Sequence, residues 1–172
     1  MTEIEDVASE VRQHYGVTLA ALVMGALAYA LSQTLVAPAL PEIQRELGTT
    51  TTTVTYVLTV YLLSASIATP ILGRFGDMFG KERMLLLTLI FFAVGSTLCA
   101  ISSSIEVLIL GRMIQGAAGA VFPLSFGIIR DEFPPERVAA GIGLISATFG
   151  IGGGVGLVLS GVIVDKRSSE RD

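Results

Sequence analysis

Tryptophan is absent from this chain, cysteine and histidine each occur once, and only 15% of the 172 residues are charged. Because Cys99 stands alone, the chain has no internal disulfide, and with His14 as the single histidine it shows no metal-ligand spacing. We therefore expect neither a metal site nor a cofactor. A soluble domain carries about a quarter charged residues. The low charge, with a mean hydropathy of +0.72, instead indicates a membrane protein.

Patterns typical of enzymes and of nucleic-acid-binding proteins are also missing. The glycines near the end of the chain lie in an apolar segment with no following Lys-Ser or Lys-Thr, so they lack the context of a phosphate-binding loop. The net charge of -4 comes largely from an acidic N-terminal tail and disfavours nucleic acid as a partner. We expect the protein to be neither an enzyme nor a nucleic-acid-binding protein.

Five apolar segments are long enough to cross a bilayer, which requires roughly 20 helical residues. Without water to satisfy the backbone, such segments have to be helical. The predicted spans are about 17–37, 54–72, 84–101, 107–129 and 140–164. The sequence thus predicts an all-α membrane protein whose transmembrane bundle covers residues 17–164. An acidic tail, 1–16, precedes the bundle, and a short polar tail, 165–172, follows it.

The acidic tail has two interpretations. Apolar residues at helical spacing in the tail favour a short amphipathic helix, and a frayed tail is the equal alternative.

The basic residues predict the orientation of the chain in the membrane. With a cytoplasmic N-terminus, the inner segments hold six bases: Arg12, Arg74, Lys81, Arg83, Arg130 and Arg137. Cytoplasmic loops carry an excess of Lys and Arg. We therefore expect a multi-pass protein of the plasma membrane, the inner membrane of a bacterial cell, with its N-terminus in the cytoplasm.

The stretch from Gly73 to Arg83, GRFGDMFGKER, places five charges between two apolar segments. We predict a cytoplasmic loop here, because its three glycines permit a tight reversal. An ordinary solvated loop is the alternative; it explains the bases but not the spacing of the glycines and Asp77. The signature residues are Gly73, Phe75, Asp77, Gly80, Lys81 and Leu85. They resemble the loop after the second span of major facilitator superfamily transporters, in particular of the drug:proton antiporter branch.

That resemblance implies a conformational-switch loop. Its members would be Gly73, Asp77, Gly80, Lys81 and Arg83, with Arg130 and Asp131 as the charges near them. The chain departs from the family pattern at Met78, where the family usually has arginine, and at Glu82, where it usually has a base.

The fourth span carries Arg112, the only residue inside any of the five apolar segments that is charged at neutral pH. Such a residue costs about 2.5 to 3.5 kcal/mol near the bilayer centre. Arg112, Gln115 and Gly116 lie on one helix face, which favours a cavity wall, and they resemble the family's LxxxRxxQGxGAA pattern. The alternative is that Arg112 reaches the membrane surface, because it lies roughly 8 Å from the outer end of its span.

The first span resembles the LDxTVVNVALP motif of the multidrug branch, but Ser32 stands at the position of its aspartate. No predicted span therefore contains a carboxylate, and a proton-coupling carboxylate would have to lie outside them. Ser32, Gln33 and Thr34 remain as neutral cavity or proton-relay candidates, and the alternative is that they only join helices.

Small residues recur four apart in the fifth span, a spacing that lets two helices approach closely. The helix-packing candidates are Gly150, Gly152, Gly154, Gly156, Ser160 and Gly161. Gly152, Gly156 and Gly161 resemble the antiporter motif of the family, with Leu157 in place of its proline.

Together these patterns predict a secondary transporter of small molecules of the major facilitator type, with multidrug efflux by proton antiport as the implied activity. A basic C-terminal tail outside the membrane would break the positive-inside rule, so we expect the chain to be an N-terminal bundle without its sixth span and second half. The expected partners are the lipid bilayer, a small-molecule substrate, protons, and a complementary C-terminal half or a second copy. The alternative is a truncated membrane fragment with a structural or assembly role and no transport activity alone.

Overall fold

The computed structural model describes the backbone of residues 2–169 and the side chains of residues 16–158, together with Gly161. Within these residues the chain is helical apart from short connections. The helices are α1 (Thr2–Glu46), α2 (Thr51–Phe79), α3 (Lys81–Ala100), α4 (Ile105–Gly116), a 3-10 turn (Ala117–Ala120), α5 (Val121–Glu132) and α6 (Pro135–Ser169). We refer to α4, the 3-10 turn and α5 together as the fourth span.

The prediction of an all-α membrane protein is confirmed. Among the described residues five helical segments are long and apolar enough to cross a membrane: Gly16–Glu46, Thr51–Phe79, Lys81–Ala100, Ile105–Glu132 and Pro135–Val158. They match the five predicted spans in number and order, and the connections between them are short. The molecule is therefore a multi-pass membrane bundle.

Side-chain caps and prolines determine where several helices begin. The Thr50 hydroxyl accepts a hydrogen bond from the backbone N–H of Thr53 at 3.2 Å, which satisfies a free donor at the start of α2. Ser104 caps α4 in the same way by accepting from the N–H of Val107. Pro135 is the first residue of α6, where a missing N–H costs nothing.

The prediction of a loop over residues 73–83 is wrong as secondary structure. Residues 73–79 continue α2, and only Gly80, with φ +100, separates α2 from α3. The apolar pattern marks only the part of a helix that lies in hydrocarbon, whereas the helix itself continues through the polar residues at its end. Glycine suits the break because it adopts a positive φ without steric cost.

The first helix is also longer than its apolar segment. α1 continues through Pro38 and Pro41 to Glu46, although a proline removes one backbone donor. Prolines are tolerated in membrane helices where neighbouring groups compensate for the lost hydrogen bonds. At its other end the backbone of α1 extends through residues 2–16. The side chains that would distinguish an amphipathic from a frayed tail lie outside the described residues.

The fourth span is the centre of the bundle. Half of its most apolar window is buried (50%), against 11% for α3, so α3 lies at the periphery. The fourth span packs against α2 and α3, while α1 packs mainly along α6. One part of the core joins α1, α5 and α6 through Leu22, Ala26, Ile128, Ile129 and Ile145.

Glycines permit the close approach of two helix pairs. A Cβ added to Gly116 would lie 2.6 Å from the Tyr61 carbonyl oxygen of α2, so this position requires glycine. Likewise a Cβ on Gly152 of α6 would lie 2.7 Å from the Cβ of Ala30 in α1, and Gly156 contacts Thr34 one turn further on. These contacts follow the general rule that small residues allow helix backbones to approach in membranes.

Three other predicted small residues of α6, all glycines, contact no neighbouring helix among the described residues. A Cβ at Gly150, Gly154 or Gly161 would meet no heavy atom within 4 Å among the described residues. Gly150 and Gly154 therefore lie on the outward side of α6, away from α1. A packing role for these three glycines stays a prediction. The side chain of Ser160 lies outside the described residues.

Candidate functional site

Arg112 lies at the centre of a polar site inside the bundle, and its side chain is only 2% exposed. Its Nε donates to the carbonyl oxygen of Val57 at 3.5 Å, and its Nη2 donates to Oε1 of Gln33 at 3.4 Å. Its Nη1 donates to Oε1 of Gln115, one turn further along the helix. Groups from α1, α2 and α4 thus hold the guanidinium inside the bundle, which favours the cavity wall over the alternative in which Arg112 reaches the membrane surface.

Gln115 extends the site to α3 and to a second residue of α1. Its Nε2 donates to the hydroxyl oxygen of Ser32 in α1 at 3.0 Å and to that of Ser96 in α3 at 2.8 Å. Because its Oε1 accepts from Arg112, all the polar atoms of this amide are used. Gln115 is 2% exposed, and buried polar groups of this kind are normally hydrogen-bonded.

An aromatic group closes the other side of Arg112. The Cζ of Arg112 lies 4.3 Å from the ring centroid of Tyr61, a cation–π distance. The Tyr61 hydroxyl is hydrogen-bonded to that of Tyr29. The Tyr29 ring in turn contacts Phe122 at 5.7 Å and Phe92 at 6.0 Å between centroids. The guanidinium therefore lies between hydrogen-bonding side chains and an aromatic cluster.

A cavity of about 290 Å³ adjoins Arg112 and Gln115. Its polar lining comes from these two residues with Ser32 and Ser96, and the rest is mainly apolar. The apolar part of the lining is formed by Val36, Ile43, Val57, Cys99, Ala100 and Leu108. Within the described part of the chain no group of three His, Cys, Asp or Glu side chains is placed to hold a metal ion. The site combines hydrogen-bond donors with an apolar wall.

The predicted cavity residues divide into two groups. Four of them, Arg112, Gln115, Ser32 and Gln33, come together at this site. Thr34 instead donates to carbonyl oxygens of its own helix and, at 3.4 Å, to that of Gly152 in α6. It therefore serves the contact between α1 and α6, as Gly116 serves the contact between the fourth span and α2.

Sequence reasoning missed three members of the site: Ser96, Tyr61 and the Val57 carbonyl. A backbone carbonyl leaves no signal in a sequence. Ser96, which is followed by Thr97, and Tyr61 lie in apolar helices, and nothing in their spacing indicates that they face Arg112.

A second charged cluster lies where α2 and α3 meet the end of α5. The Lys81 Nζ donates to Oδ2 of Asp131 at 2.6 Å and lies 3.3 Å from Oδ1 of Asp77. The carboxylates are exposed, with 68% of the Asp77 side chain and 58% of the Asp131 side chain accessible. Lys81 thus links the two acids that the sequence predicted to lie near each other. Arg83 and Arg130 are exposed at the same end of the bundle.

Two glycines shape the surface under Lys81. A Cβ at Gly127 of α5 would lie 2.6 Å from Cδ of Lys81, so the lysine stem packs directly on this glycine. A Cβ at Gly76 of α2 would lie 2.6 Å from the side chain of Leu124 in α5. No pattern around Gly127 in the sequence indicates this contact. Gly73, a predicted member of the loop, has open space around it.

Comparison with known proteins identifies the family of this chain and shows how much of its relatives' length the chain covers. The model of the Major Facilitator Superfamily matches residues 22–169. Multidrug resistance protein 3 of Bacillus subtilis is 38% identical over 148 residues, which are 86% of this chain and 29% of that protein. The Multidrug export protein EmrB of Haemophilus influenzae is 35% identical, over 84% of this chain and 29% of its own length. The tetracenomycin C resistance and export protein of Streptomyces glaucescens is 32% identical, over 86% of this chain and 28% of its own. The chain therefore spans less than a third of the length of these relatives.

Proposed function

The chain belongs to the major facilitator superfamily, and on this premise we propose that it acts as the N-terminal bundle of a multidrug efflux transporter driven by proton antiport. Relatives named for multidrug resistance and export support the efflux direction. The role is transport, without chemical conversion of the substrate. We further propose that the N-terminus is cytoplasmic and that the bundle lies in the plasma membrane, in accordance with the distribution of Lys and Arg.

The observation that carries this proposal is the burial of Arg112. A charged side chain at 2% exposure inside an apolar bundle is costly, and such residues in membrane proteins usually serve a substrate or ion pathway. The groups around Arg112 are the neutral amides of Gln33 and Gln115 and the ring of Tyr61. The site therefore keeps a positive charge available beside the cavity.

The Lys81 cluster supports the second element of the proposal, a conformational switch. Exposed ion pairs contribute about 0–1 kcal/mol each, so they break and re-form at low cost. Lys81 holds α3 to α5 through Asp131 while Asp77 stays largely exposed. We propose that the free side of Asp77 meets a second helical bundle in one state of the transport cycle, since transporters of this superfamily rock two bundles about a central site.

Proton coupling then requires a group outside the described spans. Their apolar segments contain no carboxylate, and intramembrane carboxylates are the usual carriers of a transported proton. We accordingly propose that this chain works with a complementary C-terminal half or with a second copy. Reconstituted by itself as a monomer, it should give no saturable substrate flux.

A chimera tests the proposal directly. The 148 matched residues of Multidrug resistance protein 3 would be replaced by the matching residues of this chain. Cells that lack their own efflux pumps would express the chimera, and drug accumulation would be measured with and without a protonophore. We expect lower accumulation than in empty cells and loss of this difference when the proton gradient collapses.

The matched control is the same chimera carrying Arg112→Ala, with its amount in the membrane measured by an epitope tag. If the chimera is present in the membrane and never lowers drug accumulation, the efflux proposal fails. The alternative, a membrane fragment with a structural or assembly role, would then be favoured.

A further inference from the structure

We infer that the Arg112 site binds a small monovalent anion. This anion is the counter-ion of the guanidinium, a role that none of the described residues fills. The first reason is charge. Each hydrogen-bond acceptor of the guanidinium is neutral: the Val57 carbonyl and the amide oxygens of Gln33 and Gln115. No carboxylate of residues 16–158 forms an ion pair with Arg112. An uncompensated charge in a low-dielectric interior is strongly unfavourable.

The second reason is an excess of hydrogen-bond donors. A guanidinium has five N–H groups, and only three of those of Arg112 are directed at an acceptor within the described part of the chain. Nε2 of Gln33 is completely buried and has no hydrogen-bond partner among these residues. Because buried donors are normally satisfied, these N–H groups call for an acceptor that the side chains around them do not provide.

The third reason is space. The cavity of about 290 Å³ is lined by Arg112 and Gln115 and by the hydroxyl groups of Ser32 and Ser96. Pockets for drug-sized ligands have volumes of about 300–1,000 Å³. This cavity lies at the lower end of that range and has room for a small ion or for the acidic head of a larger molecule. Its apolar walls, such as Val36 and Leu108, strengthen the attraction between the guanidinium and an anion because they lower the local dielectric.

The shared ligand chemistry is a compact monoanion that accepts hydrogen bonds, and it has two sources: an inorganic halide or the carboxylate of an organic acid. A cationic ligand is disfavoured, because it would lie beside the positive charge of Arg112 without an acid to offset the repulsion. This inference does not rest on efflux activity, since binding is measured on the 172-residue chain itself.

Thermal unfolding in detergent tests the inference. Sulfate, a dianion whose second charge a single guanidinium would leave uncompensated, would be replaced stepwise by chloride or by acetate at constant ionic strength, and the loss of helical circular dichroism would be followed. We expect a saturable rise in Tm of at least about 2 °C. A rise with chloride alone identifies the halide, and a rise with acetate alone identifies the carboxylate; either supports the site.

The decisive variant is Gln33→Glu, which puts a carboxylate oxygen where the amide oxygen now accepts from Arg112 at 3.4 Å. It should unfold at a higher Tm than the parent in sulfate and should lose the response to chloride and acetate. Gln44→Glu, the same change on the same helix away from Arg112, should keep the parental response. If Gln33→Glu does not fold, Ser32→Asp serves the same purpose, because Ser32 and Arg112 line the same cavity.

Two results would overturn the inference. One is an unchanged Tm of the parent chain in chloride and in acetate. The other is an equal response in the parent and in the carboxylate variant, which would place any anion effect elsewhere on the protein.

Discussion

Lys81 and Arg112 are both basic residues that join helices, but their surroundings are opposite. Lys81 forms ion pairs with two carboxylates that are more than half exposed. Arg112 is 2% exposed and contacts neutral acceptors and an aromatic ring. The Lys81 cluster is therefore compensated in charge and screened by solvent, whereas the Arg112 site is neither.

This difference in burial and charge makes the Lys81 cluster suited to movement and the Arg112 site suited to holding a charge in place. Screened ion pairs at a surface are worth about 0–1 kcal/mol, so the Lys81 cluster can rearrange without unfolding the bundle. Inside the bundle, each lost hydrogen bond leaves a buried group unsatisfied at a cost of about 1–3 kcal/mol. We therefore expect Arg112 to stay fixed relative to α1 and α2 while the ends of the helices move.

The largest effect should follow from Arg112→Ala in the chimera. This change removes the buried charge and leaves the amides of Gln33 and Gln115 without their donor. We expect drug efflux to fall to the level of empty cells while the amount of protein in the membrane stays the same. Drug accumulation and tag quantification measure the two quantities.

Arg112→Lys sharpens this prediction, because it keeps the charge but not the planar, multiply donating group. Its efflux should lie between those of the parent and of Arg112→Ala. Parental efflux by the alanine variant would contradict a role for the Arg112 site in transport.

A smaller effect, on stability, is expected from Gly116→Ala. The added Cβ would meet the Tyr61 carbonyl, a backbone atom that has no freedom to move aside. We expect a loss of about 1–3 kcal/mol in the free energy of unfolding, because overpacking forces the helices apart. Reversible unfolding in mixed detergent micelles measures this loss.

Gly154→Ala is the matched control, since its Cβ meets nothing within 4 Å. It should not destabilise the protein, and the higher helix propensity of alanine should raise the free energy of unfolding by up to about 1 kcal/mol. Equal destabilisation by the two variants would show that the close contact at Gly116 is not what limits the packing.

The smallest effect on stability should come from Lys81→Gln. It removes both ion pairs of the cluster, but these are exposed, so the free energy of unfolding should fall by less than about 1 kcal/mol. Efflux by the chimera should nevertheless fall several-fold if the cluster takes part in the conformational change. A large loss of stability with unchanged efflux would reverse the contrast between the two sites.

The fold was predictable because five uninterrupted apolar segments leave the backbone no alternative to helices in lipid. Arg112 and Gln115 were predictable for a similar reason: a lone charge in such a segment requires an explanation, and the two residues share a helix face. The ends of the helices were not predictable, because hydrophobicity marks the hydrocarbon region and α2 continues beyond it to Phe79.

The contacts between helices also could not be predicted from the sequence. Gly150 and Gly154 have the same spacing as Gly152 and Gly156, yet only the second pair faces α1. The spacing predicts that a packing face exists but not which face meets a neighbour. The contact of Gly127 with Lys81 was not predictable for the same reason.

The most direct test of the central claim is proton-driven drug flux by the purified chimera in liposomes. With a pH gradient imposed across the membrane, we predict saturable flux of a fluorescent drug that stops when the gradient is collapsed and is absent with Arg112→Ala. Flux that persists without the gradient, or that is unchanged by Arg112→Ala, would contradict the account.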